Sequence, residues 1–270
     1  SWSVFALLYL GYSLANALQA PLFSAIVGEG VEPAQRGKAF GTIEFAIGVG
    51  VVLGPLLGAR LLPVVGTRGL ILLAGLSWLF SAVVRYRYLG ETRPAAVDLR
   101  PFALKRVFSG SLRQVMLALT AFNVLLVLTL WGPFLSLHAK DAMSLSKQQI
   151  NLFFALNGVV STLTSLLAGR VVGRVGSLTV MAWAPLLLGV AVLVWAFQKS
   201  MAAIALGFVV IGIAFQFAMV ASDAFRLAAV AEAIRGSALG AIGAISGLVG
   251  AVVLPGAGYL RTAWHPLAPF

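Results

Sequence analysis

Long apolar segments dominate this chain and constrain its fold more than any other feature. Eight of them follow one another, at about residues 2–27, 38–62, 67–88, 112–137, 148–172, 178–197, 201–227 and 237–260. Each is long enough to cross a hydrocarbon layer about 30 Å thick, which needs about 20 helical residues. The segments are continuous and do not alternate between polar and apolar residues, so they favour helices over a β-barrel. The sequence therefore predicts an all-α, polytopic membrane protein with about eight transmembrane helices.

The composition agrees with a membrane location and excludes several classes of function. Hydrophobic residues make up 60% of the chain and charged residues only 10%, against about 25% charged residues in soluble domains. The formal net charge is +11, but the basic residues lie between apolar segments, which suits loops beside anionic lipid and not a nucleic-acid surface. Cysteine is absent, His138 and His265 are isolated in predicted loops, and no phosphate-binding loop occurs. We therefore expect no metal, no cofactor and no enzymatic activity.

The basic residues also predict how the chain is divided and oriented. Residues 86–113 form the one long polar interval between apolar segments and carry six Lys or Arg residues. We expect residues 1–88 to be the last three helices of an N-terminal bundle, residues 89–111 a linker, and residues 112–270 five helices of a C-terminal bundle. With the linker in the cytoplasm, thirteen of the 19 Lys and Arg residues lie on the cytoplasmic side, as the positive-inside rule requires.

Two stretches of the chain resemble each other. Residues 36–58, RGKAFGTIEFAIGVGVVLGPLLG, align with residues 235–258, RGSALGAIGAISGLVGAVVLPGAG. The matched positions include glycines and, after one inserted residue, a proline: Gly41 with Gly240, Gly48 with Gly247, Pro55 with Pro255, and Gly58 with Gly258. The copies are six apolar segments apart, so they have the same orientation in the membrane and predict two parallel halves. Chance matches between glycine-rich helices are the alternative.

The first copy resembles a motif of the major facilitator superfamily. The family pattern G-x8-G-x3-G-P-x2-G-G is followed, with Ala59 in place of the last glycine, by Gly41, Gly50, Gly54, Pro55 and Gly58. The resemblance implies a two-bundle transporter of twelve helices, and we expect this chain to be a fragment that covers about the fourth to the eleventh. GRVVGRVGS, at 169–177, is similar to a second family signature, although Gly173 stands where the family has Asp. The glycine–proline pattern is most associated with drug:proton antiporters, which implies efflux.

The segment with this motif also carries an acidic residue, Glu44. By helical geometry Gly50, Gly54 and Gly58 share one face, which predicts close packing against another helix. Glu44 lies on a neighbouring face with Pro55, and an ionisable group inside a membrane usually faces a cavity or a partner. We therefore expect Glu44 to be a proton or cation coupling site, with packing alone as the alternative role of the glycines. The second copy has no acidic residue and is predicted to serve packing through Gly240, Gly247, Pro255 and Gly258.

Further polar residues within the apolar segments are candidates for a substrate cavity: Asn16, Gln19, Asn123, Asn157, Ser161 and Gln216. A polar side chain in a membrane needs a partner, so hydrogen bonds between helices are the alternative role for all six. Asp223 and Arg226 are three residues apart and share a helix face. This spacing predicts an ion pair, which is either structural or part of a gate.

Together these features predict a secondary transporter that moves a small solute by alternating access. Proton-coupled efflux of a drug or metabolite is the first hypothesis. A facilitator or importer of a sugar, amino acid or organic anion on the same fold is the second, and a multi-span membrane protein without transport activity is the third. We expect a monomer in the plasma membrane, whose partners are a small-molecule substrate, protons or another coupling ion, and the lipid bilayer.

Overall fold

A computed structural model describes residues 26–27, 30–88, 107–130, 132–231 and 234–270. Regular structure within these residues is helical. A short 3-10 helix at Pro33–Gln35 leads into the described α-helices, which are α1 (Arg36–Tyr88), α2 (Gly110–Leu128), α3 (Phe134–Asp141), α4 (Lys147–Val175), α5 (Ser177–Ala196), α6 (Met201–Ala229) and α7 (Arg235–Ala263). Nearly all of the predicted helix at 2–27, with Asn16 and Gln19, and most of the predicted linker lie outside the described residues.

Seven candidate membrane spans occur in the part of the chain that the structure describes. Helices α2, α4, α5, α6 and α7 each supply one, and α1 supplies two, Arg36–Gly54 and Arg68–Tyr88. Each span overlaps one of the apolar segments found in the sequence. The predicted all-α membrane fold is therefore confirmed.

Helix α1 contains two spans because its regular conformation is interrupted at a single residue. Gly66 has φ 65° and ψ 176°, a backbone conformation that is essentially restricted to glycine. The backbone is also crowded here, since a Cβ added to Gly69 would lie 2.7 Å from the Cβ of Val65. The break predicted from the sequence, between the segments at 38–62 and 67–88, lies at the same place.

The predicted helix at 112–137 is wrong in its second half. Helix α2 ends at Leu128, and a separate short helix, α3, begins at Phe134. Pro133 precedes α3 and has no backbone N–H with which to continue α2. His138, expected in a loop, lies on α3 and is buried, with its Nε2 hydrogen-bonded at 2.8 Å to the carbonyl oxygen of Ala196. Helix α3 thus packs on the end of α5.

Polar side chains link α4 to α6 inside the largest packed group of helices. Asn157 Nδ2 donates to Phe208 O at 2.9 Å, and Ser161 Oγ donates to Gly212 O at 3.1 Å. Gly212 permits this approach, because a Cβ there would lie 3.0 Å from Asn157 Nδ2. The ring of Phe208 also meets Trp195 of α5 edge to face, with centroids 5.3 Å apart. Helices α4 and α5 therefore both pack against α6.

Helices α2 and α7 meet through a second polar contact. Thr120 Oγ1 and Ser246 Oγ share a hydrogen bond of 2.8 Å, and Asn123 Nδ2 donates to Ser246 O at 3.1 Å. The glycines predicted to make α7 a packing helix have a different environment. A Cβ would meet no described atom within 4 Å at Gly240, Gly247 or Gly258. Their packing role, like that of Pro255, stays a prediction.

We predict that Gly66→Ala lowers the thermal stability of the full-length protein, because a non-glycine residue in this backbone conformation costs about 1–3 kcal/mol. Gly75→Ala is the matched control, since Gly75 is helical and a Cβ there meets no described atom within 4 Å. Alanine should be neutral or slightly stabilising at the control position. Thermal unfolding in detergent measures both variants, and equal Tm values would contradict the strained conformation of Gly66.

Asn157→Ala is expected to destabilise the protein by about 1 kcal/mol, the usual size of a hydrogen bond between membrane helices. Asn151→Ala, on the exposed face of the same helix, removes an equal side chain and should leave stability nearly unchanged. Denaturant titration in detergent gives the free energy of unfolding of both variants. A loss no larger than that of the control would show that Asn157 does not hold α4 to α6.

Candidate functional site

The candidate site is built on the crossing of α1 and α4, which we call the α1–α4 seam. Contacts along it pair Gly37 with Gly173, Gly41 with Gly169, Gly48 with Thr162, and Val52 with Gly158. Numbers rise along α1 as they fall along α4, so the two helices run antiparallel at the seam. From residue 37 to residue 52 the seam covers about 22 Å of helix, at 1.5 Å per residue.

The seam is tightest near the beginning of α1. A Cβ added to Gly41 would lie 2.6 Å from the carbonyl oxygen of Ser165, and one added to Gly169 would lie 2.7 Å from that of Gly37. A Cβ on Gly37 would likewise lie 2.8 Å from the backbone nitrogen of Gly173. Real Cβ atoms essentially never come within 3.0 Å of such atoms. The two backbones therefore touch with no side chain between them. Only glycine fits at Gly37, Gly41 and Gly169, whereas a Cβ on Gly173 would lie 3.7 Å from Ala34 O, which is ordinary contact.

The seam loosens toward its other end. A Cβ on Gly158 would lie 3.8 Å from Val52 Cγ2, which is ordinary van der Waals contact. The glycines that were predicted to form the close-packing face have no described atom within 4 Å of an added Cβ: Gly50, Gly54 and Gly58. Among the described residues, the packed face of α1 is instead the one with Gly41 and Gly48. Packing by the predicted face, and the part that Pro55 plays in it, stay predictions.

Glu44 lies on the packed face of α1, between Gly41 and Gly48, and it reaches α6. Gln216 Nε2 donates to Glu44 Oε2 at 3.4 Å. The side chain of Gln216 is buried, with 3% of its residue surface exposed, and Glu44 is half-buried. The hydrogen bond joins residues 172 positions apart in the chain. It therefore links a helix assigned to the first half of the sequence with one assigned to the second.

Two charged residues lie about two to three turns further along α6 than Gln216. Arg226 Nη1 lies 3.6 Å from Asp223 Oδ1. The ion pair expected from the spacing of these two residues is thus present, and its role as a gate stays a prediction. The structure thus shows two polar pairs, Glu44 with Gln216 between α1 and α6, and Asp223 with Arg226 within α6.

The other candidates for a substrate cavity are engaged elsewhere. Asn157 and Ser161 donate to backbone carbonyls of α6, and Asn123 donates to a carbonyl of α7. These bonds give the three side chains a packing role in the described conformation, and their contact with a substrate stays a prediction. Asn16 and Gln19 lie outside the described residues. No group of three or more His, Asp or Glu residues suited to a metal ion occurs within the described ranges.

Sequence reasoning missed the residues that α4 presents to α1. They are Gly158, Thr162, Ser165, Gly169 and Gly173. A signal for the tight part of the contact was present, because both helices carry two glycines four residues apart at this level, the spacing that lets membrane helices approach closely. The longer series of glycines at 50–58 has the same spacing and gave the stronger signal, although it has no described neighbour.

The chain is similar in sequence to a known protein family and to a curated relative. The family model of the Major Facilitator Superfamily matches residues 1–137 and 115–270, which together include the whole chain. Among curated proteins, the multi-drug resistance efflux pump PmrA of Streptococcus pneumoniae is 24% identical over 161 residues. The alignment covers 58% of this chain and 39% of the relative. The chain therefore spans well under two thirds of the length of that relative.

Two solved structures share the fold. The human organic anion transporter MFSD10 (TETRAN) has a TM-score of 0.73 at 22% identity, over 92% of this chain and 63% of that chain. A bacterial homologue of the iron transporter ferroportin, in an outward-facing state, has a TM-score of 0.66 at 20% identity, over 99% of this chain and 69% of that chain. At these identities the likeness shows the fold alone.

The resemblance first seen in the glycine–proline motif is therefore confirmed over the full length of the sequence. The family model matches both parts of the chain, the solved structures have the same helical arrangement, and the described helices include seven candidate membrane spans. Proteins of this type are transporters and not enzymes. This chain belongs to the Major Facilitator Superfamily and is an integral, multi-pass membrane protein.

Proposed function

We propose that the protein is a secondary active transporter that exports a small organic molecule in exchange for protons, by alternating access. Its family and the efflux pump among its relatives support this class of function. The observation that carries the proposal is the hydrogen bond that Gln216 of α6 donates to Glu44 of α1. A carboxylate at a contact between the two halves can change the strength of that contact when it gains or loses a proton.

Glu44 is the proposed proton site because its environment distinguishes the two protonation states. A charged carboxylate is costly inside a membrane, and the nearby charge of Asp223 adds repulsion. A bound proton removes both penalties and still leaves Glu44 able to hydrogen-bond with the Gln216 amide. The face of α4 toward this part of α1 carries the hydroxyl residues Ser165 and Thr162 and the glycine Gly169, none of which is charged. The charges that act on Glu44 in the described residues therefore come from α6.

The remaining site residues take graded roles in this proposal. Gln216 is the first candidate for substrate contact, because its amide already lies at the coupling carboxylate. Asp223 and Arg226 form the proposed gate pair, which would rearrange as the two halves move. The other cavity candidates are secondary. Asn123, Asn157 and Ser161 already donate hydrogen bonds between helices. Asn16 and Gln19 lie outside the described residues.

The proposed topology follows the distribution of basic residues. Residues 1–88 belong to the N-terminal bundle and residues 112–270 to the C-terminal bundle, joined by a cytoplasmic linker at 89–111. In this orientation the tight end of the α1–α4 seam, near Gly37, is the cytoplasmic end. We place the protein in the plasma membrane as a monomer, because a single chain supplies helices of both bundles.

We expect Glu44→Gln in the full-length protein to abolish the dependence of export on a pH gradient. Glutamine keeps the size of glutamate and one oxygen that can accept from Gln216, but it binds no proton. Transport is measured in proteoliposomes, with and without an imposed gradient, against a panel of drugs, sugars and amino acids. Glu32→Gln is the matched control at an exposed position just before α1, and this variant should retain coupled transport.

Two outcomes would revise the proposal in different ways. Gradient-driven export that survives Glu44→Gln would rule out Glu44 as the coupling site. Uptake of a sugar, amino acid or organic anion that ignores the gradient and shows counterflow would favour a facilitator or importer on the same fold. In that case Glu44 would be a structural or substrate-binding carboxylate.

A further inference from the structure

The geometry points to an inner closure made by direct contact between two helix backbones. We define the glycine clasp as Gly37 and Gly41 of α1 with Gly169 and Gly173 of α4. The clasp closes the cytoplasmic end of the path between the two halves, and it positions Glu44 against Gln216. This inference rests on the proposed function and orientation, and it assigns a positioning role to four residues that contact neither proton nor substrate.

The clasp can act as a closure because its contact is either made or lost. The distances of 2.6 to 2.9 Å from an added Cβ to backbone atoms leave no side chain between α1 and α4 at this level. Flexible side chains can follow a separating helix and keep a path narrow, but glycine has none. A small separation of the two helices therefore opens the path here. Closure depends on van der Waals contact between bare backbones, which falls off steeply with distance.

The rest of the seam shows that the contact is graded along its length. Beyond the clasp, Gly48 meets the side chain of Thr162, and Val52 meets Gly158 only at van der Waals distance. Further along α1, a Cβ on Gly54 or Gly58 meets no described atom within 4 Å. Among the described residues the crossing is thus tightest at the clasp and looser toward Val52 and Gly158. The clasp is the part of the crossing that has to separate for the opposite state to form.

Glu44 is coupled to the clasp through its position on α1. It follows Gly41 by three residues, so it lies on the same helix face and about 4.5 Å further along the axis. Its hydrogen bond with Gln216, at 3.4 Å, is near the upper limit for such a bond. Gln216 lies on α6, which is hydrogen-bonded to α4, so moving α1 away from both helices by about 1 Å would break it. The clasp therefore holds Glu44 at Gln216, and opening the clasp releases it.

The burial of Glu44 gives the direction of this coupling. In the closed arrangement Glu44 is half-buried and accepts a hydrogen bond from Gln216. The charged groups of the helices packed against it are Asp223 and Arg226 on α6, 3.6 Å apart, and Arg170 and Arg174 on α4, which are exposed. A charged carboxylate is costly inside a membrane, so neutral Glu44 favours the closed clasp and charged Glu44 favours separation. A proton bound at Glu44 thus stabilises the state that is closed on the cytoplasmic side.

The test measures the separation of α1 and α4 directly in the full-length protein. Spin labels are attached to Lys38→Cys and Arg174→Cys, two exposed positions adjacent to Gly37 and Gly173, and no cysteine occurs among these 270 residues. Pulsed electron paramagnetic resonance in lipid nanodiscs gives the distribution of distances between the labels. A short-distance population is expected from the closed clasp.

Gly169→Ala should reduce the ratio of short to long distances roughly tenfold, the effect expected when one methyl group overpacks a tight contact. Gly189→Ala is the matched control, because a Cβ at this position in α5 meets no described atom within 4 Å, and its distance distribution should equal that of the parent. A Gly169→Ala distribution that matches the control would overturn the proposal. Glu44→Gln transport, measured separately, decides the proposed function whatever happens to the clasp.

A second variant keeps the test decisive if Gly169→Ala does not fold. Glu44→Gln in the same doubly labelled protein should increase the short-distance population, because a neutral side chain is less costly to bury in a membrane than a carboxylate. An unchanged or decreased short-distance population would show that the clasp and Glu44 are not coupled. A merely structural role for the glycines predicts no response of the distance to a change at Glu44.

Discussion

The meeting of two bare helix backbones is the contact on which the rest of the described arrangement depends. Between Gly41 and Gly169 no side chain intervenes, and the surrounding carbonyls leave no room for one. Helices already surrounded by lipid gain little from the hydrophobic effect when they associate, so close van der Waals packing supplies much of their attraction. This contact fixes the distance between α1 and α4. Through that distance it fixes whether Glu44 reaches α6.

The buried polar groups divide into two kinds according to what they bind. Asn157, Ser161 and Asn123 donate to backbone carbonyls of a neighbouring helix. Backbone carbonyls do not titrate, so these hydrogen bonds stabilise helix packing and do not change when a proton binds. Gln216 differs because its acceptor is Glu44, a side chain whose charge can change. The polar contact suited to a switch is therefore the one between α1 and α6.

Local properties of the sequence predicted most of the fold. The length of each apolar segment identified seven spans in the described residues, and the break at Gly66 fell where the apolar pattern stops. The one error was local as well, since Pro133 ends a helix inside an apolar segment, where hydropathy alone shows no boundary. The glycine–proline motif indicated the family, because it combines residue types that an ordinary membrane helix avoids.

By itself the sequence determined that the chain spans a membrane as helices, which family it belongs to, and that Glu44 is an unusual residue. Hydrophobic length and residue chemistry are properties of single segments, so no neighbour is needed to recognise them. Only the tertiary structure decided that Gly41 packs against α4, and that Gln216 of α6 donates to Glu44. Gly41 and Gly54 look alike in the sequence and lie on one helix. They differ in the structure because Gly41 lies on the side of α1 that packs against α4, whereas an added Cβ at Gly54 meets no described atom within 4 Å. Which side of a helix is packed depends on its neighbouring helices, and the sequence of one segment does not show them.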